Sequence, residues 1–140
     1  MTFLVDTNIV SELTRRQPST AVTDFLNATS DLAISVIVFH ELEFGIQCIA
    51  DQERKAKLQA FAHSLRQRFS GRIVDVNILI SETAGRVRAF EKSMGRVLAE
   101  LDALIAATAM VKGWTLVTRN IKDFEKLNIS LLNPWDDAKA

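Results

Sequence analysis

A single α/β domain, with a mostly parallel sheet of about five strands flanked by helices, is the fold this sequence predicts. Three observations predict it. Five short apolar runs rich in Val, Ile and Leu are spread along the 140 residues. Runs of that kind suit strands buried on both faces of a parallel sheet. Longer stretches of helical pattern separate them, and strand–helix alternation is the mark of α/β architecture. Only five Gly and two Pro punctuate the chain, so its elements are long and its connections short.

The elements follow in order. Phe3-Leu4-Val5 reads as the first strand, with a helix near 8–16 behind it. Pro18-Ser19-Thr20 breaks that helix and offers a cap to the next, near 20–28. Leu32-Ala33-Ile34 is the second strand, followed by helices near 36–49 and 52–69. The third strand, Ile73–Val76, is followed by a helix near 79–94. A helix near 101–112 stops at Gly113 and feeds the fourth strand, Thr115–Val117. A short helix near 121–126 precedes the last strand, Ile129–Leu132, which Pro134 ends. The segment 36–49, VIVFHELEFGIQCI, is apolar on nearly every side. A helix of that kind is expected to be buried all round, with a face covered by a second subunit or a partner.

Composition excludes several classes. Hydrophobic residues make up 48% and charged residues 24%, close to the globular average, which excludes a disordered chain. The length fits one domain, residues 1–140. No apolar run approaches the roughly 18–20 residues of a membrane span. The opening MTFLVDTN lacks a basic region and does not read as a secretory signal. A lone cysteine, Cys48, rules out an internal disulfide and fits a reducing, cytoplasmic setting.

In open parallel sheets, ligands bind beyond the C-terminal ends of the strands. Asp6 directly follows the first strand, Thr118-Arg119-Asn120 follow the fourth, and Glu41 lies about two turns into the helix after the second. Asp102 opens a helix that is otherwise apolar and runs antiparallel to the fourth strand, so its start lies at the edge where that strand ends. Asp6, Glu41, Asp102 and Asn120 are thus expected to converge on one edge. Clustered carboxylates repel unless a proton or cation intervenes. Hard oxygen ligands without Cys or His point to Mg²⁺ or Mn²⁺, and such a site fits phosphodiester hydrolysis. Each acid also has a plainer reading: Asp6 as a helix cap or turn former, Asp102 as a partner of the helix dipole, Glu41 as a partly exposed helix residue, and Asp123 as the cap of a short helix.

Four blocks, LVDTNIVSEL at 4–13, HELEFG around Glu41, LDALIAATA at 101–109 and LVTRNIKDFEKL at 116–127, resemble a PIN-domain protein, most nearly a VapC-type toxin of a bacterial toxin–antitoxin pair. The resemblance spans nearly the whole chain. It implies a PIN-like parallel sheet with flanking helices and metal-dependent endonucleolytic cleavage of RNA, often tRNA or another structured RNA. It maps the family's acidic site onto Asp6, Glu41 and Asp102. By the same likeness Asp6 and Asp102 coordinate Mg²⁺, and Glu41 completes the shell or orients the attacking water. Thr118 and Asn120 hold water around the ion, and Thr7 and Asn8 position Asp6 or contact phosphate. Many relatives carry Asp where this chain has Asn120, which offers a carbonyl oxygen but no charge. Asp123 is the substitute, acting through water, and a second tightly held ion becomes doubtful. A cognate antitoxin that occupies a groove between the helices at 8–16 and 36–49, and a homodimer, are also implied.

Net charge is zero, with 17 Lys and Arg against 17 Asp and Glu. Once Asp6, Glu41 and Asp102 are assigned to a cation, 17 positive charges face 14 negative ones. Arg15, Arg96 and Arg119 are the candidates for RNA phosphate contacts. With no Tyr, base stacking is expected to be limited. A zinc protease is excluded because His40-Glu41 is followed by Phe44 where a second His belongs; His40 and His63 read as structural. A phospho-acceptor domain would need paired acids after the first strand and a lysine after the last, which Asp6-Thr7-Asn8 and Asn133-Pro134 do not supply. The remaining rival is a PIN-like module that binds RNA or a protein partner without cutting.

Overall fold

The computed structural model describes residues 1–137, without the side chain of Asp137. Five strands form one parallel sheet in the order β3-β2-β1-β4-β5. They are β1 (Phe3–Val5), β2 (Leu32–Ser35), β3 (Ile73–Val74), β4 (Thr115–Val117) and β5 (Leu131–Leu132). Leu4, Val5, Ile34, Leu116 and Val117 have essentially no exposed surface, as continuous apolar runs covered on both faces require. The first three strands step outward in one direction, and the chain then crosses back to place β4 on the other side of β1. Val5 thereby pairs with Ile34 and with Val117. Between β1 and β4 the winding reverses, and such a crevice is where open parallel sheets bind ligands.

Helices α1 (Thr7–Leu13), α2 (Thr20–Ala28), α3 (Val36–Gln47), α4 (Gln52–Arg68), α5 (Ile78–Ser93) and α6 (Glu100–Lys112) cover the sheet. The short α7 (Ile121–Phe124) and α8 (Pro134–Asp137) flank β5. Local chemistry explains most boundaries. Gly113 adopts φ 71° and closes α6, a left-handed C-terminal stop that glycine takes without side-chain conflict. Asn77 caps α5 by accepting from the Ile80 amide at 2.9 Å, which cuts β3 short of the expected Val76. Helix α1 stops at Leu13 rather than 16. The Thr14 hydroxyl turns back to the Ser11 carbonyl at 2.7 Å, and Pro18 disfavours helical backbone just ahead of it.

Three further expectations need correction. Strand β5 begins at Leu131, not Ile129. Pro134 starts a helix as well as ending a strand: proline suits the first helical position, and the Asn133 side chain accepts from the Trp135 amide at 3.0 Å. Helix α3 is not buried all round. Val38 and Ile46 face the core, while Phe44 is 68% exposed. The apolar side away from the core looks into grooves along α4 and α1.

Helix α6 is the most deeply packed helix, with Ala103, Ile105, Ala106, Ala107 and Thr108 all buried. Its small alanines let it lie close, and α5 packs along it. The Leu116 side chain is fully buried at the centre of the sheet. Leu116→Ala should therefore lower the unfolding free energy by about 2–5 kcal/mol, the range for emptying a packed leucine site, read from denaturant-induced unfolding.

Candidate active site

Asp6 sits where β1 ends and α1 begins. Its amide donates to the Val117 carbonyl at 2.9 Å, which ties it to the end of β4. Oδ1 accepts from the Thr7 amide at 2.7 Å, so the helix-cap reading of Asp6 is correct as far as it goes. Oδ2 accepts from the Thr118 hydroxyl at 2.8 Å and from the Asn8 amide group at 3.3 Å. Asn8 also donates to Thr118 at 3.2 Å, and its carbonyl oxygen accepts from the Arg119 amide at 3.1 Å. Thr118, itself fully buried, accepts from the Asn120 amide at 3.1 Å. Residues from β1, α1 and the β4–α7 turn thus hold one carboxylate in a fixed orientation.

Glu41 reaches the same place from α3. The Thr7 hydroxyl donates to Glu41 Oε1 at 2.6 Å. Asp102 enters from the first turn of α6. Asp6, Glu41, Asp102 and Asn120 line one cleft of about 520 Å³, with Thr7, Asn8, Arg15 and Arg119 around them. Asn120 precedes α7 without capping it through its side chain. Asp123 lies off to one side. It is exposed and lines an adjoining cavity, which Asp102 also lines.

The electrostatics follow from this crowding. Burial, the Asp6 and Glu41 charges and then Asp123 push the Asp102 carboxyl up to about 6. Asp6, only 4% exposed, is also raised, chiefly by burial and also by Glu41, against the hydrogen bonds from Thr118, Thr7 and Asn8. A carboxylate cluster that resists ionisation attracts a cation. Among the described residues no three Asp, Glu, His or Cys side chains are drawn into a closed ion cage. Mg²⁺ does not require one, since it keeps several waters and takes one or two carboxylates together with substrate phosphates. The oxygen-only donors of the cleft fit such an ion.

Of the cations expected near the site, Arg15 and Arg119 line the cleft. Arg119 is seated over the Trp135 ring, 4.8 Å from its centroid. Arg96 is committed elsewhere: it makes a two-pronged ion pair with the buried Glu91 at 2.7 and 2.9 Å. Those hydrogen bonds hold the Glu91 carboxyl below its usual range. Arg96 therefore braces the turn between α5 and α6 instead of offering a free charge. Glu12 escaped the sequence reading. It is buried, lines the cleft, accepts from the Ser19 amide at 2.8 Å and faces Arg15 at 3.4 Å. Its spacing of four residues from Asn8, about one helical turn, is the signal that would have placed it on the cleft-facing side of α1.

An acidic cleft at the switch point of a parallel sheet defines an α/β protein with a carboxylate cluster beyond its strand ends. The PIN domain family model matches residues 3–129, and the chain belongs to that family. It is similar to a VapC ribonuclease, Y4jK, of Sinorhizobium fredii, with 30% identity over 96% of this chain and 99% of the relative. The crystal structure of FitAcB from Neisseria gonorrhoeae matches with a TM-score of 0.88 at 30% identity, covering 96% of this chain and 99% of that one. A toxin–antitoxin complex from Klebsiella pneumoniae matches with a TM-score of 0.69 at 29% identity, covering 95% of this chain and 98% of that one.

In the metal-free protein, the raised Asp102 pKa means that the folded state binds this proton more tightly than the unfolded chain does. The resulting stability is present below the ordinary aspartate value of 3.8 and is lost as pH rises through about 6. Asp102→Asn should melt above the wild type at neutral pH. The gap should close as pH falls from neutral toward the ordinary carboxylate range, read by thermal denaturation in chelator across that range.

Proposed function

We propose that this chain is a metal-dependent endoribonuclease that hydrolyses RNA phosphodiester bonds and forms the toxin half of a toxin–antitoxin pair. The observation that carries the reading is the convergence of Asp6, Glu41 and Asp102, from three separate elements, on one cleft where their charges oppose one another. Asp6, Glu41 and Asp102 would hold Mg²⁺ or Mn²⁺. Bound there, such an ion would make a neighbouring water more acidic and offset charge on the leaving oxygen. The chain's own residues arrange the reactants. Thr7 fixes one oxygen of Glu41, and the other is free to accept a proton from the attacking water. Thr118 and Asn8 prevent Asp6 from turning away. Asn120 supplies an amide where a fourth charge would favour a second ion, so one ion is the simpler state. Arg15 and Arg119, at the rim of the cleft, neutralise the phosphates on either side of the scissile bond. A structured RNA such as tRNA suits a site with few aromatic side chains.

The antitoxin reading rests on a groove. Helices α1, α3 and α4 enclose about 250 Å³ lined by Leu42, Ile46, Leu58 and Phe61, and Thr7 and Glu41 form its edge toward the acidic cleft. An antitoxin segment laid there with its apolar face inward places an Arg or Lys beside Glu41, in competition with the metal. A homodimer would cover apolar surface such as Phe44.

Purified antitoxin-free protein should cleave RNA with Mg²⁺ or Mn²⁺ and stop when chelator is added. Asp6→Asn and Asp102→Asn should each lower the rate by at least about a hundredfold, the scale of losing a group that acts on the transition state. Both variants should remain folded by circular dichroism. Wild-type protein that binds RNA but never cuts it with either ion would favour the non-cleaving module instead.

A further inference from the structure

Beside the acidic cleft lies a second cavity of about 500 Å³, formed by the α5–α6 turn and α7. Asp102 belongs to both, so the two spaces are neighbours across a single side chain. The cavity carries three cations, Arg96, Lys122 and Lys126, and three anions, Glu91, Asp102 and Asp123. Glu91 is consumed by Arg96. Lys122 and Lys126 are exposed, and among the described residues neither has a carboxylate within ion-pair distance. With Asp102 turned to a metal ion, the cavity keeps three cations against two acids: Asp123, and Glu91, which pairs with Arg96 and also feels the Lys126 charge. On its other side α7 continues past Lys122 to Arg119 and Asn120, which are shared with the cleft. Cations thus stand on both sides of the carboxylates: Arg15 and Arg119 on one, Lys122 and Lys126 on the other.

We infer that this second cavity is a subsite for the backbone phosphate of a nucleotide adjacent to the scissile bond, with Lys122 and Lys126 as its ligands. The inference rests on the nuclease reading for the identity of the polymer. A chain crossing the cleft must carry its next phosphates past one flank or the other, and flexible lysines bind them as point charges without reading sequence. Val97, 99% exposed at the cavity rim, adds an apolar contact for the attached sugar or base. The buried Glu91–Arg96 pair keeps the rim in place.

The test compares the wild type with a variant carrying Lys122→Gln and Lys126→Gln. Binding of a fluorescently labelled single-stranded oligoribonucleotide is followed by anisotropy over a range of salt, with Ca²⁺ in place of Mg²⁺ to occupy the carboxylates while suppressing cleavage. Removing two phosphate contacts should flatten the slope of log affinity against log salt by about 1.4, at about 0.7 per contact on a single strand. In the cleaving protein the same lysine changes should raise KM with kcat changed less than about twofold. Lys57→Gln on α4, in an exposed helix pair with Glu53, should move neither. An unchanged slope in the double-lysine variant overturns the subsite, even if cleavage by the wild type is normal. Lysine-dependent binding in a protein that cuts no RNA upholds the subsite and removes the nuclease reading. Charge reversal, Lys122→Glu with Lys126→Glu, should deepen the loss; failure to do so also overturns it.

Discussion

The lateral pairing of β1 with β4 is the constraint on which the rest depends. Strands adjacent in space but more than a hundred residues apart in sequence bring Asp6 and Thr118 to the same level of the sheet. The Asp6 amide extends that ladder by one bond, to the Val117 carbonyl. From there the site assembles by short steps: the Thr118 hydroxyl to Asp6, the Asn8 amide group to both, and the Arg119 amide to Asn8. A slip of one residue in this register would turn Thr118 to the opposite face of the sheet from Asp6 and bring different side chains together in the core. The hydrophobic core and the acidic site are therefore set by the same alignment. The core residues Leu4, Leu116 and Val117 are in effect the foundation of the cleft.

The cleft stands against a cost that the core must offset. Burying Asp6 and crowding it with Glu41 and Asp102 makes ionisation unfavourable for Asp6 and Asp102. Natural folds place such strain at functional sites and compensate elsewhere. Here the compensation is visible around Asp6, where side-chain and backbone donors converge, and beneath Asp102, where α6 is packed on almost every side. Asp102 itself is half-buried and has no comparable set of donors. It is accordingly the acid whose protonation responds most to its neighbours, and the one best placed to gain from a cation.

The sequence was readable wherever one residue's local pattern carried the information. The strands showed as apolar runs, α6 as an alanine-rich stretch closed by Gly113, and Asp6 and Thr118 as polar residues immediately past strand ends. Strand order was not readable, because pairing partners are set by packing over long separations. The burial of α3 was overestimated for a similar reason. Apolar composition reports that a helix wants cover, whereas the position of α4 decides how much of it the chain itself supplies, and Phe44 is left exposed. Arg96 read as a candidate contact for RNA phosphate. Only the fold shows that Glu91, one turn back, points inward and claims it. The boundaries of β3 and α1 were missed because side-chain caps, from Asn77 and Thr14, compete with the propensity of the flanking residues.

Net neutrality conceals how charge is deployed. A chain with equal numbers of acidic and basic residues has no long-range field with which to attract a polyanion. Its acids, however, are unevenly used. Three are gathered into the cleft. Glu91 and Glu12 are each held close to an arginine inside the fold, where they shape turns and contribute nothing to repulsion at the surface. The two pairs cancel, so the balance shifts only by the three acids of the cleft, which leaves 17 positive charges against 14 negative ones over the rest of the chain. On the proposed reading, a divalent ion in the cleft would strengthen the effect, by neutralising the carboxylates that would repel phosphate. On the proposed nuclease reading, metal binding and RNA binding would be coupled through the same side chains, and removal of the ion would weaken both polyanion binding and hydrolysis.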